Sequence, residues 1–200
     1  AHNFIFPKVS QLLKEKGATV ELVTLDTLNY ALSCYNVIVA SEVSSNMSRF
    51  DGLIYGNRTD EYDSLDDLYI QTRSESFGEE VQRRIAMGTL YLGADSDQKV
   101  YKKALKVRKK LQMEYDEFFE KYDFLVTPTT NELPFTLGEK VDDPLAMYAS
   151  DFFTVSVNLS GLCAISIPMD AGIGTSLHLV ANRFEDKKLL EAARAIERSL

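Results

Sequence analysis

Two hundred residues, 45% apolar and 26% charged, suffice for one large domain with a sizeable core. A formal net charge of −8 disfavours a nucleic-acid binder acting through a broad basic face. No apolar run is long enough to span a bilayer, the N-terminus lacks a secretory leader pattern, and two cysteines are too few for a disulfide scaffold. Cys34 and Cys163 stand in apolar context and read as free buried thiols, which suits a reducing cytosol. The expected localisation is cytoplasmic.

In chain order, Val9, Leu12, Leu13 and Lys16 recur at helical spacing and Gly17 stops them. ATVELVTL (18–25) alternates and predicts a strand. Asp26 and Thr27 offer an N-cap for a helix over roughly 27–45. That helix is apolar over most of its surface, from Leu28 and Tyr30 through Cys34, Tyr35 and Ile38, so it predicts a buried helix. Residues 46–62 are polar and turn-rich. Ser64 with Asp67 forms a capping-box pattern, and Ser76 with Glu79 repeats it before a helix near 77–92. Ala104, Leu105, Leu111, Tyr115, Phe118 and Tyr122 mark a long amphipathic helix near 97–122. FLVTP (124–128) predicts a short strand. From Asp143 to Pro168 the pattern is a polar loop, an apolar helix carrying Asp151, a Gly turn and a strand over 164–168. SLHLV (176–180) predicts a third strand, and Leu189, Leu190, Ala193 and Ile196 line one face of a closing helix. Helices alternating with short strands predict an α/β chain with a sheet covered by helices, as one domain over 1–200.

Few residues suggest chemistry. Ser44–Ser45 is the one Ser pair, but no base or flanking glycines mark it as a nucleophile, and it reads as structural. His178 is a lone histidine in a strand, and no Cys/His/Asp spacing matches a metal site. No catalytic and no metal-binding residue is therefore assigned. Three residues stand out. Asp151 sits in MYASDFFTV, where a buried carboxylate must find a cation or become neutral. Arg84, on the helix EEVQRRIAMG, offers a fork suited to a carboxylate. Tyr35 brings a hydroxyl to an apolar helix. Together they suit an α-amino acid, with Arg84 on the carboxylate, Asp151 on the ammonium and Tyr35 closing the pocket. Alternatively, Arg84 and Asp151 pair with each other or with neighbours. The run Lys102, Lys103, Lys106, Arg108, Lys109 and Lys110 reads as a solvated face or as a contact for nucleic-acid phosphates.

Four segments carry a resemblance: DPLAMYASDFFTVSVNLSGLCAISIP (143–168), SFGEEVQRRIAMG (76–88), YNVIVASEVSSNMSRFDG (35–52) and YGNR (55–58). From about Val9 to Ile196 the chain resembles the C-terminal half of the amidase-signature family. Within it, the chain resembles the glutaminase subunits of the tRNA-dependent amidotransferases. The resemblance implies a mixed β-sheet covered by helices, incomplete in this portion. It implies that the nucleophilic Ser, the Ser on a cis peptide and the Lys lie in the preceding half. It implies a part in releasing ammonia from glutamine to convert Glu-tRNA(Gln) to Gln-tRNA(Gln), with Tyr35, Arg84 and Asp151 holding the glutamine. Its implied partners are amidotransferase subunits B and C, glutamine, and Glu-tRNA(Gln) mainly through the partner subunit, with no membrane. No cofactor is expected on this chain; ATP and Mg belong to the partner subunit. The alternatives are another amide hydrolase of the family, on whose apolar substrates a zwitterion clamp is wasted, or a non-catalytic scaffold. The chain departs from the family pattern at Cys163, at Met169–Asp170 and at Gly93–Asp97.

Overall fold

A computed structural model describes residues 2–93, 98–140, 143–169 and 176–199. The departures at 94–97 and at Asp170 lie outside these residues. The chain forms two compact units, Ala1–Leu32 with Val107–Leu200, and Ser33–Lys106.

The first unit is built on an antiparallel sheet of strands β1 (Leu125–Pro128), β2 (Cys163–Pro168) and β3 (Ser176–Ala181), in the order β1-β3-β2. All three lie where the sequence predicts strands. Central β3 is buried on both faces from Leu177 to Ala181. Leu177, Leu179 and Ala181 share one core with Ile167 of β2, with Val9 of helix α1 (His2–Glu15), and with Leu189, Ala193 and Ile196 of helix α8 (Asp186–Glu197). Leu190 stays 57% exposed, so the apolar stripe of α8 is narrower than its sequence suggests. On β3's other face, Val180 meets Tyr115 of helix α5 (Lys99–Phe119) and Ser156 and Val157 of helix α7 (Val155–Ser160) around a cavity of about 10 Å³. That is room for one water at most.

The predicted strand over 18–25 does not form; this stretch is irregular and Leu22 is fully exposed. Alternation favours extended backbone, but a strand needs a ladder partner for its N–H and C=O groups. Among the described residues the segment has none, and Glu21 instead accepts a 2.7 Å hydrogen bond from the Tyr122 hydroxyl. The predicted helix over 27–45 divides into a 3₁₀ turn (Asp26–Tyr30) and α2 (Ala31–Met47). At the start of the turn the Thr27 N–H donates to the Glu114 carboxylate at 3.1 Å, and at its end the Ala31 N–H bonds three residues back, to the Leu28 carbonyl, the tighter 3₁₀ pattern. Tyr30 is 63% exposed rather than buried.

The second unit holds α2, α3 (Leu65–Ser76), α4 (Glu79–Leu92) and the start of α5. Ser64 caps α3 as its sequence predicts, accepting from the Asp67 N–H at 3.1 Å, while Asp67 accepts from the Asp63 N–H at 3.1 Å. The second capping box does not form. Ser76 ends α3, and α4 begins after Gly78, which has no side chain to cap with. Helices α2 and α4 touch at Gly88. An added Cβ there would stand 2.0 Å from the Ala40 carbonyl oxygen, and Ser44 Oγ lies 3.1 Å from Thr89 Oγ1 beside it.

The sheet's second face also carries a titratable group. Tyr115 is buried and shares a 2.8 Å hydrogen bond with the buried Ser156 hydroxyl. Burial, which disfavours the phenolate, pushes its pKa up to about 12 from 10.0. The folded state thus holds this proton more tightly than the unfolded chain. The resulting stability is complete below pH 10 and is lost as pH rises through about 12. Tyr115→Phe should therefore flatten the alkaline limb of the stability–pH curve, while costing about 1–2 kcal/mol at neutral pH for the lost hydrogen bond. Melting temperatures over pH 8–12 for both proteins check this; identical alkaline limbs would refute it.

Candidate functional site

Tyr35 and Arg84 lie in the second unit and Asp151 in the first. Tyr35 stands half-buried on α2, five residues before Ala40, about 7.5 Å along the helix axis. Arg84 stands on α4, four residues before Gly88, about 6 Å along that axis. The contact at Gly88 thus holds together the two helices that carry these side chains.

Arg84 Nε donates to Glu80 Oε1 one turn earlier at 2.9 Å, and Glu80 also pairs with Arg83. The Arg84 side chain is 35% exposed, so an incoming carboxylate can reach the guanidinium. This in-helix pair is of the exposed (i, i+4) kind, worth about 0.3–0.5 kcal/mol.

Asp151 corrects the sequence reading. It is not inside an apolar helix: it is exposed, in the turn between α6 (Pro144–Ala149) and α7. The helix breaks because short polar side chains compete for its backbone. Ser150 Oγ donates to the Ala146 carbonyl at 3.4 Å and Thr154 Oγ1 to the Asp151 carbonyl at 3.0 Å. The Asp151 and Phe152 N–H groups bond three residues back, to Tyr148 and Ala149. Within its own unit no described residue bonds the Asp151 carboxylate. Being exposed, that carboxylate keeps its hydration, and burial no longer demands a partner for it.

The turn is held by residues that the sequence does not mark. Lys140 Nζ, on a side chain only 9% exposed, donates to Glu132 at 2.7 Å, to Ser150 Oγ at 3.2 Å and to the Ala146 carbonyl at 3.5 Å. It also lies 4.6 Å from the centre of the Phe135 ring. On the far side, Arg108 Nε donates to the Leu159 carbonyl and Arg183 Nε to the Ser160 carbonyl, both at 2.9 Å. Two cations thus satisfy the last carbonyls of α7. Gly161, at φ +70°, closes the helix in the left-handed conformation that glycine adopts without strain. The one local signal was that Gly; Lys140 and Arg183 are isolated cations in sequence, and Arg108 is one of a basic run that reads as a solvated face or a phosphate contact.

The remaining residues have structural environments. Ser44–Ser45 lies within the last turns of α2, with Ser44 bonded to Thr89. His178 is buried on β3 with Nδ1 3.1 Å from Thr127 Oγ1, and burial lowers its pKa. Cys34 is buried and Cys163 half-buried; neither is in a disulfide. Burial pushes the Cys163 thiol up, and its Sγ donates to the Asn182 carbonyl at 3.0 Å. Among the described residues no group of three His, Cys, Asp or Glu side chains could hold a metal, and no helix is long and apolar enough to cross a membrane.

Known proteins are similar to this chain in sequence and in fold. Residues 3–190 match the family model described as Amidase. The A subunit of glutamyl-tRNA(Gln) amidotransferase from an Exiguobacterium species is 42% identical over 96% of this chain and 40% of its own length. Its counterpart from Bacillus velezensis is 44% identical over 94% of this chain and 39% of its own. The crystal structure of the Thermotoga maritima counterpart superimposes with a TM-score of 0.68 at 33% identity, covering 96% of this chain and 37% of that one. A crystal structure of an amidase shares the fold at 20% identity, with a TM-score of 0.71 over 98% of this chain and 41% of that one. The chain therefore spans about two fifths of the length of the curated relatives it matches. Segments quoted for their motifs, three strands in the expected places and a matching model over nearly the whole sequence agree: the chain belongs to the amidase-signature family.

Proposed function

We propose that this chain is the C-terminal portion of the glutaminase subunit of a glutamyl-tRNA(Gln) amidotransferase. The observation that carries the reading is identity of 42–44% over at least 93% of the chain to A subunits of that enzyme. In this reading the complete subunit frees ammonia from glutamine, and the ammonia converts Glu-tRNA(Gln) to Gln-tRNA(Gln) in the cytoplasm. Tyr35, Arg84 and Asp151 bind the glutamine: Arg84 takes the α-carboxylate, Asp151 the α-ammonium, and Tyr35 closes the pocket. Nucleophile, base and oxyanion donors come from the rest of the subunit. Subunits B and C are the partners, with ATP, Mg and most tRNA contacts on the partner side.

The charge pattern supports amino-acid binding. An exposed carboxylate and a reachable guanidinium suit the two ends of a zwitterion, and an aryl or fatty amide would use neither. The test is a hybrid in which this chain replaces the matching segment of the Bacillus velezensis glutaminase subunit, together with that organism's B and C subunits. Glutamine-dependent formation of Gln-tRNA(Gln) within about tenfold of the parent is expected, since each 1.4 kcal/mol of misfit costs tenfold. A folded, assembled hybrid that uses free ammonia but never glutamine would refute the reading.

A further inference from the structure

Helix α5 carries a second feature that the glutamine site does not use. Lys99, Lys102, Lys103, Lys106, Lys109 and Lys110 are all exposed. At 3.6 residues per turn they fall within an arc of about 120°, and no other residue between 99 and 110 falls in it. The stripe runs about 16 Å along one continuous helix. Directly opposite lies the buried face with Ala104, Leu111 and Tyr115. Lys99, Lys103, Lys106, Lys109 and Lys110 form no ion pair among the described residues. The pairs 99–103, 102–106 and 106–110 are like charges one turn apart, which destabilise a helix. The cations also crowd its N-terminal half, where the helix dipole opposes them and the first turn has no acid to offset them. The stripe therefore stands against its local electrostatics, although the chain as a whole carries a net charge of −8.

We infer that the lysine stripe of α5 is a docking surface for the phosphate backbone of a nucleic acid. That the strand is tRNA rests on the function proposed above; the stripe's chemistry does not. Phosphates along a strand suit a line of compact ammonium charges, each displacing a counterion. A protein partner fits less well, because protein interfaces are depleted in lysine and anchored by aromatic or apolar side chains. From Lys99 to Lys110 the arc offers no such anchor, and Met113, 52% exposed one turn on, is the one apolar side chain that continues it on α5. The narrowness of the stripe agrees with a protein whose overall charge excludes a broad basic face.

The test uses the 200-residue chain and an unmodified tRNA(Gln) transcript, with binding measured from 25 to 200 mM salt. Lys103→Gln, Lys106→Gln and Lys110→Gln together should weaken binding on the order of 10²-fold at 100 mM salt. They should flatten the slope of log affinity against log salt by about 2–3, near 0.9 for each phosphate no longer neutralised. The triple Lys→Arg variant should bind like the parent, and so should Lys187→Gln, which removes a surface lysine on α8. The Gln variant should melt no lower than the parent, since repulsion is relieved. Unchanged affinity and slope in the Gln variant would overturn the inference. So would equal loss in the Arg variant, or competition by poly-glutamate as effective as tRNA at equal charge, which would indicate an acidic protein partner. None of these readouts involves glutamine, so failure here leaves the glutaminase reading standing, and failure of the hybrid leaves this one standing.

Discussion

Gly88→Ala is expected to destabilise the unit of Ser33–Lys106 by about 3 kcal/mol or more, the scale of severe overpacking. In an exposed helix the same change would stabilise by up to about 1 kcal/mol, because glycine is the poorer helix former. Geometry reverses that sign. The new methyl carbon would stand 2.0 Å from the Ala40 carbonyl oxygen, 2.6 Å from its carbon and 2.6 Å from Ser44 Cβ. The nearest obstacle is backbone, so no rotamer change can relieve it, and α2 and α4 must part. Tyr35 and Arg84 ride on those helices, so glutamine binding should fall along with stability. Gly78→Ala is the control: nothing lies within 4 Å of its would-be Cβ, and a change at this N-cap should cost no more than about 1 kcal/mol. Urea unfolding followed by helical circular dichroism compares the two. Equal stability of Gly88→Ala and the parent would show that the helices separate without cost.

Arg84→Ala, made in the assembled enzyme, should lower kcat/KM for glutamine by about 10–150-fold, equivalent to the 1.5–3 kcal/mol of a hydrogen bond to a charged group. Ammonia-dependent amidation should be nearly unchanged, because ammonia bypasses the glutamine pocket. Arg84→Lys should recover only part, since an ammonium cannot present two parallel N–H groups to a carboxylate. The bond to Glu80 is a half-exposed in-helix pair, so its loss should cost stability little. Asp151→Asn should behave alike, with a raised KM for glutamine and intact ammonia use. Its melting temperature should match the parent's, as expected for an exposed side chain without a partner in its unit. A parallel fall of glutamine-dependent activity, ammonia-dependent activity and melting temperature would mean that these side chains support the fold rather than the substrate. Glutamine kinetics unaltered in both Arg84 variants would remove Arg84 from the site.

Local rules carried much of this chain. FLVTP, AISIP and SLHLV are apolar, β-branched and bounded by Pro or Gly, and each is a strand. Ser64 accepts from the Asp67 N–H and Asp67 from the Asp63 N–H within one turn, so that cap is legible without a fold. The same rules failed where hydrogen-bond partners decide the outcome. The 27–45 helix opens as a 3₁₀ turn before α2, and the 18–25 stretch alternates like a strand but finds no ladder.

The candidate site divides in the same way. Arg84 and Tyr35 stand on helices the apolar pattern predicts, and their residue types mark them. Asp151 was singled out for a burial it does not have, because the sequence MYASDFFTV does not show that Ser150 and Thr154 turn back on the backbone. The family, the three strands and the lysine period of α5 are legible in the chain before it folds, since each rests on neighbours within a few residues. Folding alone settles the sheet order, the close approach at Gly88 and the anchoring of Asp151's turn by Lys140. These contacts join residues whose spacing in the chain carries no period, and their energies depend on which groups the fold leaves without water.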